Sequence, residues 1–191
     1  FWPAFGNTLF FTLVTVLLET ILGIGMALVM AKDFHGRGLL RAAVLVPWAI
    51  PTAITAKLWA FLFSEQGIVN SIFHAHVAWQ TDPWAARFSI ILADVWKTTP
   101  FMALLILAGL QMIPKDLYEA ARMDGANAWQ RFTRMTLPLA KNSIIVAVLF
   151  RMLDALRMYD LPYIMVGPNP DSPTATLSQL VVAAIRQDHV N

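Results

Sequence analysis

Four stretches of the chain stay apolar for about twenty residues with only isolated polar interruptions: 8–31, 42–63, 88–110 and 138–158. A helix rising about 1.5 Å per residue needs roughly 20 such residues to cross about 30 Å of hydrocarbon, so each predicts a membrane-spanning helix. A fifth apolar run starts near Leu177 and is broken by Arg186, Gln187 and Asp188. It predicts a short surface helix leading toward a further span. Barrel strands would alternate every second residue over about ten residues, which these runs do not do. The expected fold class is therefore all-α, a polytopic membrane helical bundle. Pro47 and Pro51 fall inside the second run and predict a kink or break there, either as a packing feature or as the lining of a cavity. Pro100 predicts a similar disturbance in the third.

The polar connections set the orientation. The first holds Lys32, Arg37 and Arg41, and 111–137 with its flank holds Lys115, Arg122, Arg131, Arg134 and Lys141. The connection 64–87 offers only Arg87, and 159–176 has no Lys or Arg. The excess of bases places the first and third connections in the cytoplasm and both chain ends outside. Composition agrees with a lipid solvent: 58% of residues are hydrophobic and 14% charged, against about 25% charged in soluble domains. The net charge of +2 follows from bases flanking spans, so nucleic acid is not an expected partner. Without cysteine there are no disulfides and no thiolate chemistry. Beginning at Phe1 and stopping at Asn191 just after an apolar run begins, 1–191 is expected to be a membrane domain incomplete at both ends.

Charges inside the spans narrow the candidate sites. Thr8, Thr12, Thr15, Glu19 and Gly23 fall on one helical face, either a translocation path or a close helix–helix contact. Asp94 and Lys97 are one turn apart and are expected to neutralise each other. Arg151, Asp154 and Arg157 form a polar stripe, either facing the path or snorkelling at the outer end. Glu19, Asp94, Lys97, Arg151 and Asp154 are the candidate path residues. Trp48, Trp59 and Trp96 are suited to stacking on a sugar face or to belting the membrane interface. Of His35, His74, His76 and His189, only His74 and His76 are close in sequence, and they lack further metal ligands. No Walker-type phosphate loop and no catalytic constellation is present, so no catalytic or metal residue and no cofactor is expected in this chain.

The connection 111–137 differs in kind. Pro114 suits a first helical turn, Leu117, Ala120, Ala121 and Asp124 follow at helical spacing, and Gly125 permits a break at positive φ. Trp129, Phe132, Met135 and Leu139 then form the apolar side of a second stretch. Periodicity fits either a knob of two short angled helices or a helix lying on anionic lipid. Glu119-Ala120-Ala121, three residues, Gly125, nine residues, then Met135-Thr136-Leu137-Pro138 resembles the EAA signature of ABC importer permeases, with Met135 where Ile is usual. Gly36-Arg37-Gly38 through Pro51, Asp94-Val95-Trp96-Lys97 through Gln111, and Tyr159-Asp160-Leu161-Pro162 resemble the sugar branch of that family, the relatives of maltose and trehalose permeases.

The resemblance implies a type I importer transmembrane domain, a fragment of a roughly six-helix core in a bacterial or archaeal cytoplasmic membrane. It implies that 111–137 couples to a cytoplasmic ATPase dimer. Glu119 would contact that partner, Ala120 and Ala121 allow close packing, and Gly125 makes the bend, with Asp124, Leu137 and Pro138 completing the set. ATP and magnesium would sit on the ATPase. A second permease subunit and an extracytoplasmic sugar-binding protein would complete the assembly. Intramembrane Glu19, Asp94 and Lys97 also suit an ion-gradient-driven secondary transporter, which would leave the cytoplasmic signature unexplained.

Overall fold

A computed structural model describes residues 1–188 apart from Ala75 and Pro170, so the fourth histidine, His189, lies outside them. The described residues form helices joined by turns and irregular segments, with no strand among them. α1 (Trp2–Ala31) and α5 (Pro83–Gln111) are long and apolar enough to cross a membrane. Both start earlier than their apolar runs because a proline occupies the first turn, where its missing N–H costs nothing. At α5 the Asp82 carboxylate also accepts from the N–H groups of Trp84 and Ala85.

The second expected span is broken. α2 (Arg37–Ala49) and α3 (Thr52–Leu62) meet at Ile50 and Pro51 with a bend of 87°. Pro51 donates no hydrogen bond and holds Ile50 in an extended conformation, which ends α2. Counted together, the two pieces are long and apolar enough for a third crossing. At Pro100 the third span does not break, since α5 runs through it as one helix. The hydroxyls of Thr98 and Thr99 donate to the carbonyls of Asp94 and Val95, beside the acceptor that Pro100 leaves unused. The small helix α4 (Ile68–Phe73) lies between α3 and α5.

The connection 111–137 also departs from expectation. α6 (Lys115–Met123) is a separate helix, but the stretch after it is not. α7 (Ala128–Arg131) passes through a π turn, Phe132–Thr136, directly into α8 (Leu137–Leu156). The wider turn absorbs Pro138, which lacks the N–H an α-helix would need there. α8 is 20 residues long but carries Lys141, Arg151 and Asp154, so length and composition alone do not mark it as the fourth span expected. α9 (Asp160–Met165) and α10 (Leu177–Asp188) follow. The start of α10 is tied to α1: Thr8 accepts from the Leu177 N–H, and Asn7 donates to the carbonyls of Pro173 and Ala175.

α1, α5 and α8 share the core. Ala27, Met30, Met102, Ala103, Ile106 and Ala147 fill its inner half, while Phe11, Ala56, Ile90, Ala93 and Met158 fill the outer half. Leu13, Leu17 and Ile21 turn outward on α1, as a lipid-facing row should. The close approach of α1 to α5 depends on Gly23, where an added Cβ would stand 3.1 Å from the Cβ of Met102. Gly23→Leu is expected to destabilise the bundle by about 1–3 kcal/mol through overpacking. Thermal unfolding in detergent checks this, and an unchanged midpoint would contradict the contact.

Candidate functional site

The threonine and glutamate face of α1 turns fully inward: Thr8, Thr12, Thr15, Glu19 and Gly23 are all buried. Glu19 is 0% exposed and meets Arg151 of α8, which is 2% exposed. Arg151 Nε stands 2.5 Å from Glu19 Oε2, and its second terminal nitrogen lies 3.1 Å from Glu19 Oε1. The same nitrogen pairs with Asp94 of α5, and the first terminal nitrogen reaches Asp154 at 3.2 Å. Thr98 donates to Glu19 Oε1 at 2.6 Å. One guanidinium thus gathers carboxylates from three helices, using the fixed fork of donors that lysine lacks.

Asp94 and Lys97 do not pair as expected. Lys97 turns toward the end of α2, where Nζ donates to the carbonyls of Ile50 at 2.5 Å and Trp48 at 3.4 Å. The reason is the break at Pro51. Ending α2 there leaves its last carbonyls without intrahelical partners, and a cation at that negative end satisfies them. The stripe on α8 is joined, with Arg157 donating to Asp154 at 3.2 Å. Its inner member does not snorkel, because Arg151 is drawn into the bundle by Glu19 and Asp94.

A cavity of about 230 Å³ opens beside this network, lined by Thr52, Asp94, Lys97, Thr98, Arg151, Asp154, Arg157, Tyr159 and Asp160 among others. Four of the five candidate path residues line it. Glu19 does not line it and stands behind, as the anchor of Arg151. The three tryptophans pack against other aromatics. Trp48 stacks on Phe101 at 5.6 Å, and Trp59 meets Phe63 and Trp96 at 5.6 and 5.7 Å. His74 and His76 are exposed, and among the described residues no three His, Cys, Asp or Glu side chains gather to hold a metal.

In the connection between α5 and α8, no residue of α6 is buried. Glu119, Ala120, Asp124, Gly125, Leu137 and Pro138 are exposed and Ala121 is half-buried, with Met123 and Trp129 strongly exposed nearby. Gly125 has φ +78°, and the N–H groups of Gly125 and Ala126 return to the carbonyls of Arg122 and Ala121. This is a Schellman stop, which fixes the exit direction of α6. Two residues later Asn127 and Gln130 cap each other reciprocally and start α7. Two ties hold α6 to the spans, and local spacing gave no sign of either. The Tyr118 hydroxyl lies 3.0 Å from that of Thr136 in the π turn, and Lys115 pairs with Asp33 at 2.8 Å. Hydrogen bonding and charge from Lys115, with Arg37 adjacent, hold the Asp33 carboxyl below its usual range.

Residues 19–188 match the family described as binding-protein-dependent transport system inner membrane component. The chain is 48% identical over 185 residues to the trehalose/maltose transport system permease protein of Thermococcus litoralis, covering 94% of this chain and 63% of that one. It is 41% identical to the sulfoquinovosyl glycerol transport system permease protein of Agrobacterium fabrum, covering 95% and 60%. It is 40% identical to the trehalose transport system permease protein of Mycobacterium tuberculosis, covering 92% and 58%. The chain therefore spans about three fifths of the length of the curated relatives it matches. Among solved structures, a bacterial transporter that imports the acidic polysaccharide alginate superposes with a TM-score of 0.87 at 27% identity, covering 99% of this chain and 69% of the other. An inward-facing methionine transporter superposes at 0.61 with 18% identity, covering 94% and 86%, a likeness of fold alone.

Proposed function

The chain belongs to the binding-protein-dependent transport system inner membrane components, and from that premise we propose that it is a permease subunit of an ATP-driven carbohydrate importer. The observation that carries this reading is the exposed α6–Gly125–α7 turn. The signature residues Glu119, Ala120 and Ala121 sit on a surface helix that Gly125 ends, tied to the connection after α1 through Asp33 and to the π turn leading into α8 through Thr136. Such a helix is placed to receive a push and pass it to the spans. A cytoplasmic ATPase dimer holding ATP and magnesium would supply the push, an extracytoplasmic binding protein would deliver the sugar, and a second permease subunit would complete the path. The membrane is the cytoplasmic membrane of a bacterium or archaeon.

The cavity beside Asp94, Lys97, Arg151 and Asp154 is the proposed path on this subunit. Its bases are already bonded within the protein, so they shape the passage rather than wait as free charges. The sugar reading rests on the relatives. Uptake by the complete complex in proteoliposomes, run against a panel of mono- and disaccharides, tests it. Saturable uptake of a disaccharide is the expected result, and uptake of amino acids or metal ions in place of any sugar would overturn it.

Orientation gives a separate check. Single cysteines replacing His76 and Asn169, both exposed, are expected to react with an impermeant thiol reagent from outside intact cells, and one replacing Lys115 is not. Labelling at Lys115 would invert the topology.

A further inference from the structure

A second cavity, of about 880 Å³, lies where α1 and α5 end and α6 begins. Leu28, Ala31, Leu110 and Ile113 give it an apolar wall. On α1 that wall continues a stripe. Leu13, Leu17, Ile21 and Leu28 fall on one side of the helix at spacings of four, four and seven, and the first three are 63%, 61% and 59% exposed. The rest of the lining is polar, and its charged members are Lys32, Arg37, Lys115 and Arg122 with Asp33 and Glu119. Asp33 is engaged by Lys115 at 2.8 Å and by Arg37, a triad that keeps one uncompensated positive charge. The side chains of Lys32 and Arg122 are exposed and make no hydrogen bond or ion pair with any described residue. Lys32 is not needed to finish α1, because Arg41 donates to the Met30 carbonyl there at 2.7 Å. Glu119 is likewise without a partner among the described residues, so the lining as a whole stays two charges positive.

We propose that this cavity binds one anionic phospholipid, with the phosphate on Lys32 and Arg122 and an acyl chain along the Leu13–Leu28 stripe of α1. A ligand suited to this lining is apolar along one side and negative at one end. A free anion would leave the apolar wall and the stripe above it uncovered. A zwitterionic lipid would carry its own cation toward a lining that is already positive. An anionic phospholipid meets both halves, and the cavity stands at the end of two membrane-crossing helices, where such headgroups lie. Arg122 offers forked donors to two phosphate oxygens and Lys32 a compact charge. Because Arg122 belongs to α6 and Lys32 closes α1, the lipid joins the two helices a second time, beside the Lys115–Asp33 pair.

The test is native mass spectrometry of the purified complete complex, delipidated in mild detergent and titrated with phosphatidylglycerol or phosphatidylcholine. The wild-type complex is expected to retain phosphatidylglycerol in preference to phosphatidylcholine. Lys32→Gln combined with Arg122→Gln is expected to weaken that binding about twenty-fivefold, since each base beside an anionic headgroup is worth a factor of about five. Arg134→Gln combined with Lys141→Gln removes the same charge from exposed bases outside the cavity, and is expected to bind as wild type does. No preference for phosphatidylglycerol in the wild-type complex would overturn the site, whatever the variants do. Unchanged binding in the Lys32 and Arg122 variant would overturn it as well. So would an equal loss in the Arg134 and Lys141 variant, which would show diffuse attraction to the whole basic surface. Displacement of the lipid by inorganic phosphate at an equal concentration would assign the bases to a free anion, and loss of the ATPase subunit from the Lys32 and Arg122 variant would assign them to that partner. Either result contradicts the proposal. None of these readouts depends on which solute is transported.

Discussion

Replacing Arg151 by methionine is expected to prevent assembly of the bundle. Its guanidinium is the shared partner of Glu19 and Asp94, both almost wholly buried, so its loss strands two carboxylates that also repel each other. Breaking a buried pair by removing one partner costs about 3–5 kcal/mol, a large fraction of the stability of a small domain. The apolar volume of methionine would be tolerated, so the penalty is one of charge and has a specific remedy. The triple variant Arg151→Met, Glu19→Gln, Asp94→Asn removes the three mutually paired buried charges, leaves only the exposed Asp154 and Arg157 of the network, and should recover folded protein in the membrane, measured as monodisperse protein after mild extraction. Lys97→Met should be milder, since it leaves carbonyls rather than a charge without a partner. If Arg151→Met alone assembles normally, or if the triple variant is no better than the single, the three-helix charge network is not what joins these helices.

Damage to the α6–α7 turn is expected to have the opposite profile: normal assembly and lost transport. Gly125 holds φ +78° with nothing within 4 Å of an added Cβ, so Gly125→Val is penalised by its backbone and not by collision. A left-handed conformation costs an L-residue about 1–2 kcal/mol, and a β-branched one suits it least. The relief is to open the Schellman stop and swing α6 away from the axis of α7. Glu119→Lys acts differently, reversing a charge on an exposed face without touching the spans. Like charges brought together in an interface cost several kcal/mol. Both variants should reach the membrane at wild-type levels and lose stimulation of ATP hydrolysis by loaded binding protein. Wild-type stimulation in both would remove the coupling role assigned to this turn.

The helical layout was legible because it depends on features that local sequence carries. Apolar runs located α1, α5 and α8, Pro51 located the break between α2 and α3, and Gly125 located the end of α6. The polar network was legible only as a set of residues. Glu19, Asp94, Lys97, Arg151 and Asp154 stood out as charges in apolar runs, but their partners did not. Spacing along one helix pairs Asp94 with Lys97, whereas Arg151 reaches Glu19 across 132 positions of sequence. Helix packing decides such pairs, and no local rule sees it. Lys97 was misassigned for a related reason: the carbonyls that claim it are orphaned by a proline on another helix. The fusion of α7 with α8 was hidden because a proline normally marks a boundary, and the π turn that absorbs Pro138 has no reliable sequence sign. The ties from Tyr118 to Thr136 and from Lys115 to Asp33 are likewise products of packing.

In the proposed cycle, ATP hydrolysis by a partner drives sugar through this chain by way of α6. Initial uptake in proteoliposomes containing the complete complex tests it most directly, measured with ATP supplied to the cytoplasmic face and with ion gradients imposed or dissipated by ionophore. The expected uptake requires ATP and the loaded binding protein, persists when proton and sodium gradients are abolished, and disappears in Gly125→Val at normal protein levels. Uptake that continues without ATP and collapses with the ion gradient would contradict it, and would identify the buried carboxylates as an ion-coupling site.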